Sequence, residues 1–318
     1  MLTRSNILKP IIYHSSAHIG HVCPHSHPED PQRVISIVRK LLECTKKFVF
    51  RTFASGPECE FKGEWSMIDG DTYVTNATPA VLQTSRNMIR DAVADIVGGA
   101  HCGFVLCRPP GHHASVDKPG GFCLENNAWY AVERLVSRGV RNICIYDFDV
   151  HHGDGTERCV RAATAPQYNQ VRFVSTHAYG KGIFPGTGAA SRDSKVLNIP
   201  LKRGTGVTPY MKCFREEVLP FIAKPEVLIV SAGYDAHQDD PMKLMNLTTD
   251  TYRYISEELK NIGSPILFLL EGGYNPDVLA KCVFASLQPW LPAVPNSDVR
   301  YPSTPTSVRI NVKNEVLG

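Results

Sequence analysis

The sequence predicts an α/β fold, a parallel sheet covered by helices on both faces, and three observations lead to it. Short apolar runs recur at 11–13, 103–107, 142–147, 171–176, 196–199, 227–231 and 266–270. Most are continuous rather than alternating, as in strands buried on both sides. Helical patterns stand between them, and that alternation needs crossover connections and hence parallel pairing. No repeat or low-complexity linker divides residues 1–291, so one domain is expected there.

Taken in order, 11–13 opens the sheet and 33–44 follows with helical spacing. Thr78-Pro79, Thr208-Pro209 and Asn275-Pro276 each set a capping side chain before a proline, whose fixed φ suits the first helical turn. Residues 249–261 repeat the helical spacing. Beyond them, 292–318 is rich in Pro and Ser and reads as a tail laid over the surface or partly mobile.

Composition narrows the function classes. Hydrophobic residues make up 43% and charged residues 20%, enough apolar material for a large core. A net charge of +3 without a long Lys/Arg run argues against direct nucleic-acid binding. No stretch reaches transmembrane length and the N-terminus lacks a secretory apolar core, so no membrane partner is expected. The ten cysteines form no C-x-x-C pair, and several sit in apolar runs. That favours a reducing, intracellular compartment, cytoplasmic or nuclear. The opening MLTRSNILK carries basic residues without acids, which leaves organellar targeting open. Oligomeric state is not set by the sequence.

Ligands of open parallel sheets bind beyond the carboxyl ends of the strands. Five strand candidates there end in polar or glycine-rich turns: Arg108-Pro-Pro-Gly-His112-His113, Asp147-Phe-Asp149-Val-His151-His152-Gly-Asp154, Ser175-Thr176-His177, Ser231-Ala-Gly-Tyr-Asp235 and Glu271-Gly-Gly-Tyr274. Alternate residues after a strand share a face, so Asp149 and His151 can bind one cation. Asp235, from another strand end, is the best third ligand. Two carboxylates, one imidazole and an open position suit a catalytic zinc.

Asp147 and Asp154 are then spare acids to stand behind His112 and His113. A carboxylate there fixes an imidazole's tautomer and raises its basicity. Tyr274, after two glycines, can donate to a developing oxyanion. Ser175 and Ser231 lie outside any G-x-S-x-G turn and read as strand-end polar residues, not nucleophiles.

Taken together, RPPGHHA, GGFC, DFDVHHGDGT, FPGTG, SAGYDAH–DP and LEGGYN resemble the signature blocks of the arginase-like zinc deacetylases. That family comprises the histone deacetylases and acetylpolyamine amidohydrolases. The motif style is closest to class II-like and bacterial or plant members, and the resemblance runs from about Tyr13 to Trp290. It implies a single-domain arginase/deacetylase fold with an eight-stranded parallel sheet. It implies Zn2+ on Asp149, His151 and Asp235, with metal-activated water attacking the amide directly. His113, supported by Asp154, would be general base and then acid. His112, backed by Asp147, would supply electrostatics, and Tyr274 would polarise the acyl carbonyl.

Gly121, Phe122 and Phe184 would wall an acyl-lysine tunnel, Met242 would be its gatekeeper and Asp71 a rim residue holding the substrate backbone. The family also implies a structural K+ near Asp147, Asp149, His151, Ser175 and Thr176, mostly through backbone oxygens. The expected substrate is an acetylated protein or peptide. A small acetylated amine is the alternative, which the apolar Met242 disfavours because it offers a distant ammonium no charge. Two further readings are a non-catalytic acyl-lysine binder, against which intact His112, His113 and Tyr274 argue, and a two-manganese ureohydrolase, which needs a second metal set.

Glu125, Trp129 and Tyr130 depart from the family pattern. A buried, unpaired Glu is costly, so Glu125 is expected to have a partner. His14, His21, His25 and His27 crowd the first loop and read as a rim that shapes substrate entry rather than a second metal site.

Overall fold

The computed structural model describes residues 9–291 apart from Pro24, so the expected tail and most of the basic N-terminal stretch lie outside the described residues. Among the described residues, eleven strands are formed. They are β1 (Ile11–Ser15), β2 (Val49–Phe53), β3 (Trp65–Met67), β4 (Tyr73–Thr75), β5 (Cys102–Val105), β6 (Ile143–Asp147), β7 (Val171–Ala178), β8 (Ser191–Arg192), β9 (Val196–Leu201), β10 (Val227–Ala232) and β11 (Ile266–Leu270). The α-helices are α1 (Gln32–Leu42), α2 (Thr78–Val97), α3 (Asn127–Ser137), α4 (Asp154–Ala162), α5 (Val207–Cys213), α6 (Leu219–Ile222), α7 (Thr249–Asn261) and α8 (Pro276–Leu287).

The main sheet runs β2-β1-β5-β11-β10-β6-β7-β9-β8. Eight of these strands are parallel, as expected, and the two-residue β8 adds a ninth, antiparallel to β9. β3 and β4 form a separate hairpin. The sequence reading missed β2. Its residues VFRTF are mostly half-buried at the sheet edge, so it lacks the continuous apolar run that marks central strands.

Alternating side chains of each strand feed two cores. Ile12, Phe104, Cys144, Leu228 and Phe268 face α1, α7 and α8, while Ile11, Val105, Ile143, Ile229 and Leu267 face α2, α3 and α4. This double coverage is why the strands read as unbroken apolar runs. Helix starts were less legible. Asn275 caps α8 as expected, accepting from Val278 N. Thr78, however, is itself the first residue of α2, and α5 begins at Val207 after Gly206 rather than after Thr208.

Candidate active site

The five motif-bearing strands are consecutive neighbours in the sheet, in the order β5-β11-β10-β6-β7. Their carboxyl ends therefore converge. Beyond β6, Asp149 Oδ1 accepts the His151 backbone N–H at 2.9 Å and lies 3.0 Å from His151 Nδ1. Asp149 Oδ2 accepts from Gly272 N at 2.8 Å, so the loop after β11 holds the other oxygen. Asp235 arrives from β10, its Oδ1 pinned by Val150 N at 2.9 Å. Its Oδ2 lies 3.1 Å from His151 Nδ1. One nitrogen cannot donate one proton to two carboxylates, and Asp235 Oδ2 is left buried without a hydrogen-bond donor.

Asp149, His151 and Asp235 are all buried, with ligand atoms within 4.8 Å of one another. Burial and Asp149 push Asp235 up to about 7. Burial disfavours a charged His151, but Asp149 and Asp235 together raise it to about 10. Two buried carboxylates facing one imidazole nitrogen, with one oxygen orphaned, fit a bound cation. The approach also requires glycine. A Cβ on Gly233 would overlap Asp149 Oδ2, and one on Gly272 would lie 2.5 Å from oxygens of both Asp149 and Asp235. A second buried trio, His112, Cys123 and Glu271, is similarly close. Its carboxylate, however, is satisfied by Gly111 N, His112 N and Ser231 Oγ.

Each of the tandem histidines has a carboxylate behind its ring. His112 Nδ1 lies 3.0 Å from Asp147 Oδ2, and His113 Nδ1 lies 2.8 Å from Asp154 Oδ1. Burial disfavours charge on both, yet their surroundings drive them apart. Asp147 and Asp149 raise His112 well above the ordinary histidine value. Burial and then the His112 charge lower His113 to about 3, against the pull of Asp154. A neutral imidazole beside a cationic one is an acid–base division of labour.

Around this pair, Phe184 meets the His113 ring edge-on at 4.9 Å and stays 46% exposed. Gly121, at φ +54°, lies so close that a Cβ there would fall 2.7 Å from the His113 ring and 2.8 Å from Phe184. Phe122 also takes a positive φ of 68° and meets Tyr274 edge-on at 5.8 Å. The tunnel-wall candidates are thus brought together at the histidines. Asp240 Oδ2 accepts from Tyr274 N at 2.7 Å, and Oδ1 accepts from Met242 N at 2.9 Å. The Met242 side chain packs on the larger core. Asp71 sits in the β3–β4 turn, and its carbonyl accepts from His27 Nε2 at 3.0 Å. Because His27 Nδ1 already accepts Glu29 N–H, Nε2 carries the proton.

Ser175 Oγ engages His177 Nδ1 at 2.8 Å, and Thr176 Oγ1 engages the Tyr210 hydroxyl at 2.8 Å. Glu125 has the expected partner, Arg86, at 3.1 Å. Trp129 is buried against Tyr168, a packing role rather than a contact surface, and Tyr130 stacks with Arg134. The first-loop histidines are spread over several contacts: His21 stacks on Tyr73, which His27 meets edge-on, His25 meets Trp65 and His14 bonds Thr52. Among the described residues, no three of them converge as ligands.

The sequence reading missed the buttress. Arg33 Nε donates to Gly273 O at 2.7 Å, a second Arg33 nitrogen donates to Glu271 O, and its guanidinium lies 5.1 Å from the Tyr274 ring centre. Glu29 Oε1 accepts from Arg33 at 3.0 Å and from Arg108 at 2.7 Å, all three fully buried. The i,i+4 spacing of Glu29 and Arg33 was the available signal. Burial opposes the Glu29 charge, but Arg108 and Arg33 hold it at about 2. Glu29→Ala leaves two buried cations unpaired and is expected to destabilise by about 3–5 kcal/mol, measured by urea unfolding at pH 7. Because this pKa is lowered, the stabilisation is complete above the ordinary glutamate value of 4.5 and is lost as pH falls toward 2.

The family model described as the histone deacetylase domain matches residues 9–289. The chain belongs to the histone deacetylase family. Over 337 aligned residues it is 32% identical to chloroplastic histone deacetylase 14 of Arabidopsis thaliana, covering 87% of this chain and 76% of that one. It is 32% identical over 212 residues to an acetylpolyamine amidohydrolase of Mycoplana ramosa, covering 63% of this chain and 61% of the relative, less than two thirds of the latter's length. A crystal structure of the HDA15 HD domain superposes with a TM-score of 0.80 at 27% identity, covering 89% of this chain and 88% of that one. No helix among the described residues of this histone deacetylase family member is long and apolar enough to cross a membrane.

Proposed function

We propose that this chain is a zinc-dependent deacetylase that hydrolyses the amide of N-acetyl-lysine in histones or other proteins. The observation that carries the reading is the orphaned Asp235 Oδ2 facing His151 and Asp149, directly beside a histidine pair with divided charge. Zinc held by Asp149, His151 and Asp235 would polarise an acyl carbonyl and acidify a water.

The chain's own groups do the rest. His113 holds Nδ1 toward Asp154, which leaves Nε2 to take the proton of the water and return it to the leaving amine. His112, kept cationic by Asp147 and Asp149, stabilises negative charge as it develops. Burial, with Asp235 and Asp149, raises the Tyr274 phenol well above its ordinary value, so it stays a hydrogen-bond donor to the acyl oxygen. Gly121, Phe122 and Phe184 give the lysine stem apolar walls, with Met242 and Asp71 nearer the rim. A structural potassium ion near Asp147, Asp149, His151, Ser175 and Thr176 belongs to the same reading. It would rest mostly on backbone oxygens.

A small acetylated amine is the second substrate class, favoured by the likeness to an acetylpolyamine amidohydrolase. A turnover panel of acetyl-lysine peptides, longer acyl-lysines and acetylated polyamines separates the two. Peptides are expected to lead. Tyr274→Phe is expected to lower kcat about 10²–10³-fold, the cost of one oxyanion donor. Faster turnover of acetylpolyamines would replace the protein-substrate reading, and full activity in Tyr274→Phe would remove that donor from the mechanism.

A further inference from the structure

Proton transfer at His113 depends on where two adjacent rings are held. The carboxylates of Asp147 and Asp154 fix the ring orientations through the Nδ1 atoms. Neither fixes the backbone that carries the rings. That backbone is a turn at the end of β5, and on one side it presses against α3. A Cβ on Gly111 would lie 2.5 Å from Asn127 N, so the turn cannot move that way. On the other side stands Glu271, fully buried at the end of β11.

Glu271 Oε2 accepts two consecutive backbone N–H groups, Gly111 at 2.7 Å and His112 at 3.1 Å. Its Oε1 accepts from Ser231 Oγ, at the end of β10, at 3.2 Å. Its own amide donates to Ala232 O at 3.0 Å, and its carbonyl accepts from Arg33. One residue at the end of β11 thus ties the turn after β5 to the last residues of β10. Without it, two buried N–H donors would lack partners, at about 1–3 kcal/mol each, and the turn would shift to find others.

Resting on the deacetylase reading above, we infer that Glu271 is a positioning residue: its carboxylate sets the backbone of the Gly111–His113 turn and thereby places His112 and His113 over the reacting amide. It acts by accepting hydrogen bonds rather than by charge. A glutamine can reproduce the contacts, with Oε1 accepting both N–H groups and Nε2 donating to Ser231 Oγ.

The test compares Glu271→Ala with Glu271→Gln. Wild type is first assayed on an acetyl-lysine peptide, and zinc content is measured in all three proteins. Glu271→Ala should lose about 10–100-fold in kcat with KM and zinc content little changed, the scale of a lost supporting hydrogen bond or a small misplacement. Glu271→Gln should recover most of that kcat. Proton NMR of the metal-free proteins gives a readout independent of turnover. The deshielded imidazole N–H signals that His112 and His113 give to Asp147 and Asp154 should move or vanish in the alanine variant and persist in the glutamine variant. Wild-type kcat in Glu271→Ala with unmoved imidazole signals would overturn the inference. So would a glutamine variant as defective as alanine, or zinc loss in both. A wild type that turns over no acyl substrate would sink the deacetylase reading alone, because the imidazole signals still decide whether Glu271 sets the turn.

Discussion

Replacing His113 by alanine is expected to lower kcat about 10²–10⁴-fold, the contribution of a positioned general base, while KM and bound zinc stay near wild type. The substitution is clean because Asp154 does not lose its only partner. Its other oxygen accepts from Arg158 at 2.6 Å, so no unpaired carboxylate is left behind. Nor does the His113 ring hold the metal trio together, since its centroid lies 6.0 Å from that of His151. Steady-state kinetics on an acetyl-lysine peptide, with circular dichroism and zinc analysis of the same preparation, check the prediction. Near wild-type kcat in His113→Ala would assign proton transfer elsewhere, with His112 the next candidate. His112 is the weaker candidate on its surroundings: against burial, Asp147 and Asp149 raise it well above the ordinary histidine value, so it is less free than His113 to accept the water's proton.

Asp235→Asn is expected to lower zinc affinity by more than about 100-fold, the upper end for altering a mere outer partner of a metal ligand, and to abolish turnover with it. Asparagine keeps a carbonyl oxygen for the 2.9 Å bond from Val150 N, so the loop after β10 stays in place. What changes is the oxygen without a donor, which becomes an N–H2 pointed at His151. The substitution therefore removes one ligand and one charge, leaving the scaffold intact. Chelator competition and metal analysis read the affinity, and thermal unfolding of the metal-free protein shows whether the fold persists. Full zinc occupancy in the variant would mean that Asp149 and His151 hold the ion with some other third ligand.

The candidate site residues were legible because each sits in a short motif. Asp149 and His151 share a strand end, the Pro-Pro-Gly turn announces His112 and His113, and Gly-Gly sets off Tyr274. Even the spare acids Asp147 and Asp154 could be named by elimination, and they lie 3.0 Å and 2.8 Å from the Nδ1 atoms of His112 and His113. What failed to show were groups whose importance is purely relational. Glu271 looks like any acid ending a strand, yet it is fully buried and takes three hydrogen bonds, two from the turn after β5 and one from β10. Glu29, Arg33 and Arg108 are 4 and 75 positions apart along the chain, and only folding packs them into one buried network. Asp240, in a polar loop sequence, proved to hold the Tyr274 backbone.

By itself, the sequence determined the central strands and the types of side chain gathered at their ends. Continuous apolar runs specify strands covered on both faces, and local turn chemistry specifies where acids and imidazoles leave the sheet. It did not determine which strand ends meet. β11, last in the chain, inserts between β5 and β10, and that placement brings Glu271, Gly272 and Tyr274 to residues more than a hundred positions away. Periodicity and turn preference act over a few residues, whereas strand order is decided by how two helical layers cover one sheet. The tertiary structure alone therefore turned Asp235 from a plausible third ligand into a carboxylate with an unpaired oxygen beside His151.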